Sequence, residues 1–144
     1  MPAFGASEPP LACWLVKSEP GTWSWRQHME VETAAWDGVR NHQATRYLKA
    51  MQTGDRAFFY HSGAERRIMG VVEVTRPYYL DPSDSSGRFG MVDLKAVHPL
   101  AKPVTLAEIK ADPHLRHIAL VRHSRLSVMP IDDDSWRIIC AAGG

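Results

Sequence analysis

Apolar and polar positions follow two rhythms along this chain, and the clearest helical one begins after Asn41. Ala44, Tyr47, Leu48 and Met51 recur there on one face, the pattern of an amphipathic helix that packs that face inward. Asn41 is the expected cap, because its side-chain oxygen can accept a free backbone N–H of the first turn. Upstream, Cys13-Trp14-Leu15-Val16 reads as a strand that stops at Lys17-Ser18-Glu19-Pro20, where the proline holds the residue before it extended. Thr22 is the expected cap of a short helix through Trp23, Trp25 and His28, followed by a polar connection to Trp36. Of the two neighbouring tryptophans, one is expected in the core and the other over a sheet edge.

Downstream, Thr53-Gly54-Asp55 supplies a left-handed stop, and Arg56-Ala57-Phe58-Phe59-Tyr60-His61 reads as a buried strand. A short connection through Ala64-Glu65-Arg66-Arg67 leads to a second strand, Ile68 to Val74, so the two form an antiparallel hairpin. The Asp-, Ser- and Gly-rich stretch from Leu80 to Gly90 is expected to be the most mobile loop, with a further strand from Met91 to Val97. Thr105 and Glu108 have capping-box spacing, Asp112-Pro113 opens a helix containing His114, Leu115, Ile118 and Ala119, and Arg125 to Ile131 alternates as a strand. Asp132 caps a last helix whose Trp136, Ile139 and Cys140 share a face. This order lacks a βαβ rhythm and predicts an α+β domain: a small curved β-barrel of about six mainly antiparallel strands with short peripheral helices. Residues 1–11 read as a disordered arm and residues 12–142 as a single domain.

Composition narrows the function. The 144 residues carry 17 basic and 16 acidic side chains, a net charge of +1, so no global field draws the protein to nucleic acid and any such contact must be local. Cys13 and Cys140 lack a CxxC spacing, which fits a reducing, cytoplasmic setting. No apolar run reaches bilayer-spanning length. His114 and His117 are the only ligand-like histidine pair, and no cysteine or carboxylate joins them in sequence, so neither metal nor cofactor is expected. The sequence lacks the GxSxG, GxxxxGK[ST] and GxGxxG signatures. His61-Ser62 juxtaposes a base and a hydroxyl, but adjacent residues on a strand point apart.

The stretch Trp36-Asp37-Gly38-Val39-Arg40-Asn41-His42-Gln43-Ala44 concentrates the binding chemistry. Trp36, Arg40, Asn41 and Gln43 stand at the mouth of a helix N-terminus, which offers donors to a polar or phosphorylated ligand. The plainer alternative makes Trp36 a core residue and Arg40 half of a surface ion pair.

That stretch, together with Trp14-Leu15-Val16-Lys17-Ser18-Glu19-Pro20, Gly54-Asp55, Phe59-Tyr60-His61-Ser62 and Arg125-Leu126-Ser127-Val128-Met129-Pro130, closely resembles the EVE domain family. His42 departs from a frequent tyrosine, and Thr45-Arg46 from a common arginine-asparagine ending. The second departure removes an amide that could have faced a ligand. The resemblance implies a PUA-like fold, shared with the YTH readers of methylated adenine, and a non-catalytic role in reading modified bases such as methylated or hydroxymethylated cytosine in DNA or RNA. Carried over, Lys17 and Ser18 form the strand-end polar pair of the base pocket, Trp36 its first cage aromatic, and Tyr60, His61 and Ser62 the opposite wall. Val39, Arg40 and Asn41 belong to the family signature.

A base stacked on an aromatic gains about 1 to 3 kcal/mol and one buried methyl about 0.8 kcal/mol, so selectivity also needs polar readout. Arg66, Arg67, Arg122 and Arg125 are the expected phosphate contacts, with acidic residues segregated into Leu80 to Asp93 and Asp132 to Asp134. The expected partner is nucleic acid carrying a modified base, bound by a monomer without membrane or metal. Two alternatives remain: an enzyme acting on a nucleotide or small molecule, with His61 as general base and Lys17 as electrostatic stabiliser, or a protein-interaction module.

Overall fold

The computed structural model describes residues 11–144. The arm expected over residues 1–11 lies outside the described residues apart from Leu11, which is exposed. Strands β1 (Cys13–Ser18), β2 (Thr33–Trp36), β3 (Arg56–His61), β4 (Arg67–Leu80), β5 (Gly90–Thr105) and β6 (Val128–Ile131) form one sheet in the order β2-β5-β4-β3-β1-β6. Five helices accompany them: α1 (Trp25–Val31), α2 (His42–Ala50), α3 (Leu106–Ala111), α4 (Ala119–Arg122) and α5 (Asp133–Ala142). Among the described residues no helix is long and apolar enough to cross a membrane.

The α+β class and the strand number agree with the sequence reading, but the barrel does not close. β2 and β6 are the two edges, each of four residues. Register shifts between β4 and β5 are the irregularities that bend a sheet. α2 packs against β6, β4 and β5. The pairing is mainly antiparallel, as expected, with one exception. β1 and β3 run parallel, from Cys13 opposite Arg56 to Ser18 opposite His61. Their connection carries α1, β2 and α2.

β3 is central and covered on both faces. Phe58 stacks on Trp136 of α5 at 3.9 Å between centroids. Phe59, pointing the other way, meets Trp25 and Trp36 edge-on, each at 5.3 Å. Trp25 is therefore the core tryptophan, and Gly70 makes room for it, since a Cβ there would stand 2.6 Å from indole Cη2.

Local signals held at Asn41, Thr105–Glu108 and Asp132, whose side chains cap α2, α3 and α5. They failed at two places. α1 is capped by Ser24, in a reciprocal box with Gln27, and not by Thr22. The helix expected from Asp112-Pro113 is a turn, with α4 beginning only after Ile118.

Candidate functional site

The parallel crossover builds a cavity of about 700 Å³ at the end of β1. Lys17 and Ser18 line it from β1, Glu19, Thr22 and Trp23 from the approach to α1, Ala34 to Trp36 from β2, and Asp37 to Asn41 from the loop before α2. Ser127 completes the lining.

Its aromatic wall has a single support. Trp36, 8% exposed, belongs to the hydrophobic core and also lines the cavity. Trp23 is half-buried and lines the cavity. Behind them His28 is fully buried, with its ring 5.9 Å from Trp23 and 6.0 Å from Trp36. Trp23 Nε1–H donates to His28 Nδ1 at 3.0 Å, and the opposite ring nitrogen bonds Leu94 O at 2.7 Å. That pair of contacts requires the neutral imidazole with its proton on Nε2. Burial, opposed by the Leu94 bond, pushes the His28 pKa below its ordinary value.

The polar wall is charge-balanced. Lys17 Nζ donates to Ser124 O at 2.9 Å and lies 5.8 Å from the Tyr60 ring centroid. Burial lowers its pKa. Ser18 Oγ donates to Trp23 O, tying β1 to the tryptophan. Glu19 and Asp37 add two carboxylates to the same lining.

Asp81, 3% exposed, organises the loop. It accepts from Gly38 N–H at 3.1 Å, Arg40 Nη1 at 3.4 Å, Ser83 N–H at 2.8 Å and Ser83 Oγ–H at 2.6 Å. The Ser83 hydroxyl foremost, with the backbone N–H groups and Arg40, outweighs burial and holds this carboxyl at about 2. Gly38 has φ +76°, so the turn requires glycine's freedom. Charge is not segregated as expected, because the acidic 81–89 loop is bonded to the rim of the cavity. Asp81 and Asp84 also knit that loop internally, as a series of side-chain-capped turns.

Asn41 Oδ1 accepts from Ala44 N–H at 2.9 Å, and the residue also lines a second cavity of about 360 Å³ with Gln43, Arg122, His123, Ser124, Arg125 and Leu126. Arg122 and Arg125 thus come to the side of the main cavity, and neither has an ion-pair partner among the described residues. Arg66 and Arg67 line neither cavity. They stand at the β3–β4 hairpin, where Arg67 pairs with Glu65 at 3.1 Å.

The expected opposite wall is not assembled: Tyr60, His61 and Ser62 do not line the cavity. As a central strand β3 turns Tyr60 and His61 inward, leaving 2% and 5% exposed. His61 Nε2 accepts the Trp25 N–H at 2.9 Å, satisfying a free donor at the start of α1, while Nδ1 meets Glu65 Oε1 at 2.9 Å. With both ring nitrogens engaged, His61 has no lone pair for a substrate in this cavity. His114 and His117 belong to separate pairs, with Asp112 at 3.2 Å and Asp132 at 2.8 Å. Thr45 is buried inside α2 and Arg46 is exposed, and neither lines the cavity, so that departure leaves the site's walls unchanged. Glu19, Thr22, Trp23, Ala34, Ala35, Asp37, Gly38 and Ser127 are the lining residues that sequence reasoning missed as site residues.

Residues 12–142 match the family described as EVE domain. Human thymocyte nuclear protein 1 is 30% identical over 162 residues, covering 88% of this chain and 71% of that protein. The NMR structure of a protein from Rhodopseudomonas palustris superposes with a TM-score of 0.89 at 50% identity, covering 93% of this chain and 94% of the other. The human THYN1 protein in complex with 5-methylcytosine-containing DNA superposes with a TM-score of 0.83 at 29% identity, covering 92% and 97%.

Proposed function

The chain belongs to the EVE domain family, and from that premise we propose that it is a non-catalytic nucleic-acid-binding domain that takes an unpaired or flipped modified base into the Trp23–Trp36 cavity. The base is cytosine-like, methylated or hydroxymethylated, and the protein acts as a monomer. The observation that carries this reading is a cavity of about 700 Å³, within the range of small-ligand pockets, with two indoles held by one buried histidine. Aromatic faces stack bases regardless of sequence, and nearby polar groups then discriminate their edges. Lys17, Ser18, Arg40 and Asn41 supply those groups, Val39 an apolar contact, and Arg122 and Arg125 the phosphate contacts. The related human protein's complex with 5-methylcytosine-containing DNA supports DNA as the polymer. Engagement of both His61 nitrogens speaks against the general-base alternative.

The test is fluorescence titration with short DNA and RNA strands carrying cytosine, 5-methylcytosine or 5-hydroxymethylcytosine. One buried methyl, at about 0.8 kcal/mol, favours the methylated strand about fourfold before any polar readout. Trp36→Ala should erase that preference. Equal affinity for all strands, unchanged in the variant, overturns the proposal.

A further inference from the structure

The cavity meets the sheet at its unpaired edge. β2 pairs only with β5, with Thr33 opposite Lys95, Ala34 opposite Leu94, Ala35 opposite Asp93 and Trp36 opposite Val92. One step earlier in the same register, Ala96 N–H donates to Glu32 O at 2.7 Å. Residues on an antiparallel strand alternate between pointing both backbone groups at the partner and pointing both away. Counting from Glu32, the peptide groups of Ala34 and Trp36 face β5, and those of Thr33 and Ala35 face outward. The far side of β5 agrees, since Asp93 O, opposite Ala35, is turned toward β4 and accepts from Thr75 Oγ1 at 3.5 Å.

Of the two outward-facing residues, Ala35 lines the cavity and Thr33 does not. Ala34 and Ala35 both line it, although successive side chains on a strand point to opposite faces. The cavity therefore abuts the rim of the strand, where the main chain is presented. By this register Ala35 N–H and C=O point away from β5, and among the described residues no backbone hydrogen bond outside the sheet ladder engages them. They lie one residue from Trp36, the aromatic on which the proposed base stacks.

We infer that the outward-facing N–H and C=O of Ala35 read the hydrogen-bonding edge of the base stacked against Trp36. The inference rests on the function proposed above and specifies its polar readout. A peptide presents a donor and an acceptor side by side, and the Watson–Crick edge of a nucleobase presents the complement, such as the exocyclic amine and ring nitrogen of cytosine. A base already paired in a duplex has that edge occupied, so main-chain readout admits only a base that is single-stranded or flipped. The 5-substituent of a cytosine lies off this edge and must be sensed by a different wall.

Ala35→Pro removes the N–H and no ladder bond, and an edge strand accepts proline where the N–H faces outward. Ala35→Val keeps the N–H and adds comparable bulk. With a single-stranded DNA carrying one 5-methylcytosine, Ala35→Val reports the cost of the added bulk alone, so Ala35→Pro should bind about tenfold more weakly than Ala35→Val, the effect of one buried hydrogen bond lost with its partner left unsatisfied. In the unsubstituted protein, the Ala35 amide resonance should shift on adding the same strand and its hydrogen exchange should slow, a measurement that decides the matter if the proline variant does not fold. Equal losses in the proline and valine variants, or an Ala35 amide unmoved by a strand that binds, overturn this inference alone. A strand that does not bind the unsubstituted protein overturns the proposed function with it.

Discussion

Replacing Asp81 by asparagine probes the joint between the cavity rim and the 81–89 loop with almost no change of shape. The side chain is 1% exposed. Its Oδ1 accepts both Ser83 donors, and its Oδ2 accepts Gly38 N–H and Arg40. An asparagine can keep an oxygen toward Ser83, but its NH₂ then faces two other donors. The carboxyl's displacement from 3.8 to about 2 measures the fold's preference for the charged form, about 2 kcal/mol at roughly 1.4 kcal/mol per pH unit. Asp81→Asn should cost that much in urea unfolding near neutral pH. A depressed carboxyl contributes stability that is complete above its unfolded pKa and lost as pH falls through the folded one. The gap between parent and variant should therefore close between pH 3.8 and about 2. A gap under about 0.5 kcal/mol at neutral pH, small beside a typical charge-assisted bond, or one independent of pH, refutes the assignment.

Two further outcomes are expected. Arg125→Ala should weaken modified and unmodified strands alike and flatten the salt dependence of binding by about one contact, whereas Arg66→Ala should do so only for strands long enough to reach the β3–β4 hairpin; anisotropy across a salt series separates them, and an unchanged slope in Arg125→Ala removes it from the interface. His28, whose pKa is held below its ordinary 6.5 by burial, contributes stability present above 6.5 and lost as pH falls through its lower folded value. Its protonation ends acceptance from Trp23 Nε1–H, so tryptophan emission should change with the acid loss of stability, and His28→Phe should abolish that pH dependence; identical acid profiles in parent and variant refute it.

Where a structure depends on neighbours in sequence, the sequence was informative. Asn41, Thr105–Glu108 and Asp132 cap because their oxygens reach N–H groups three residues on, and the β3–β4 hairpin needs only a short turn. Ser24-x-x-Gln27 carries the same kind of signal, a reciprocal box that Thr22, with Trp25 three residues on, cannot form. β2 was not legible: Thr33-Ala34-Ala35-Trp36 is too short for alternation to emerge and depends on β5, distant in sequence, for its pairing. The parallel meeting of β1 and β3 is likewise non-local. It decides that Tyr60 and His61 point into a covered sheet while Trp23 comes to the cavity, so the site's partners could be named in the crossover but not across it.

The parallel pairing also separates two properties that the chain could have confounded. Most of the cavity's lining lies between β1 and β3, on one continuous crossover, and the strands that anchor its ends are held by neighbours on both sides, β4 beside β3 and β6 beside β1. Closing a longer connection between fixed ends costs little, about 0.6 kcal/mol for each doubling of its length. Residues added or removed in this crossover act on the depth and mouth of the chamber, while β1 and β3 keep pairings with β6 and β4 that lie outside it. Binding selectivity in this architecture is free to diversify by insertion and deletion, on a scaffold whose folding those changes scarcely tax.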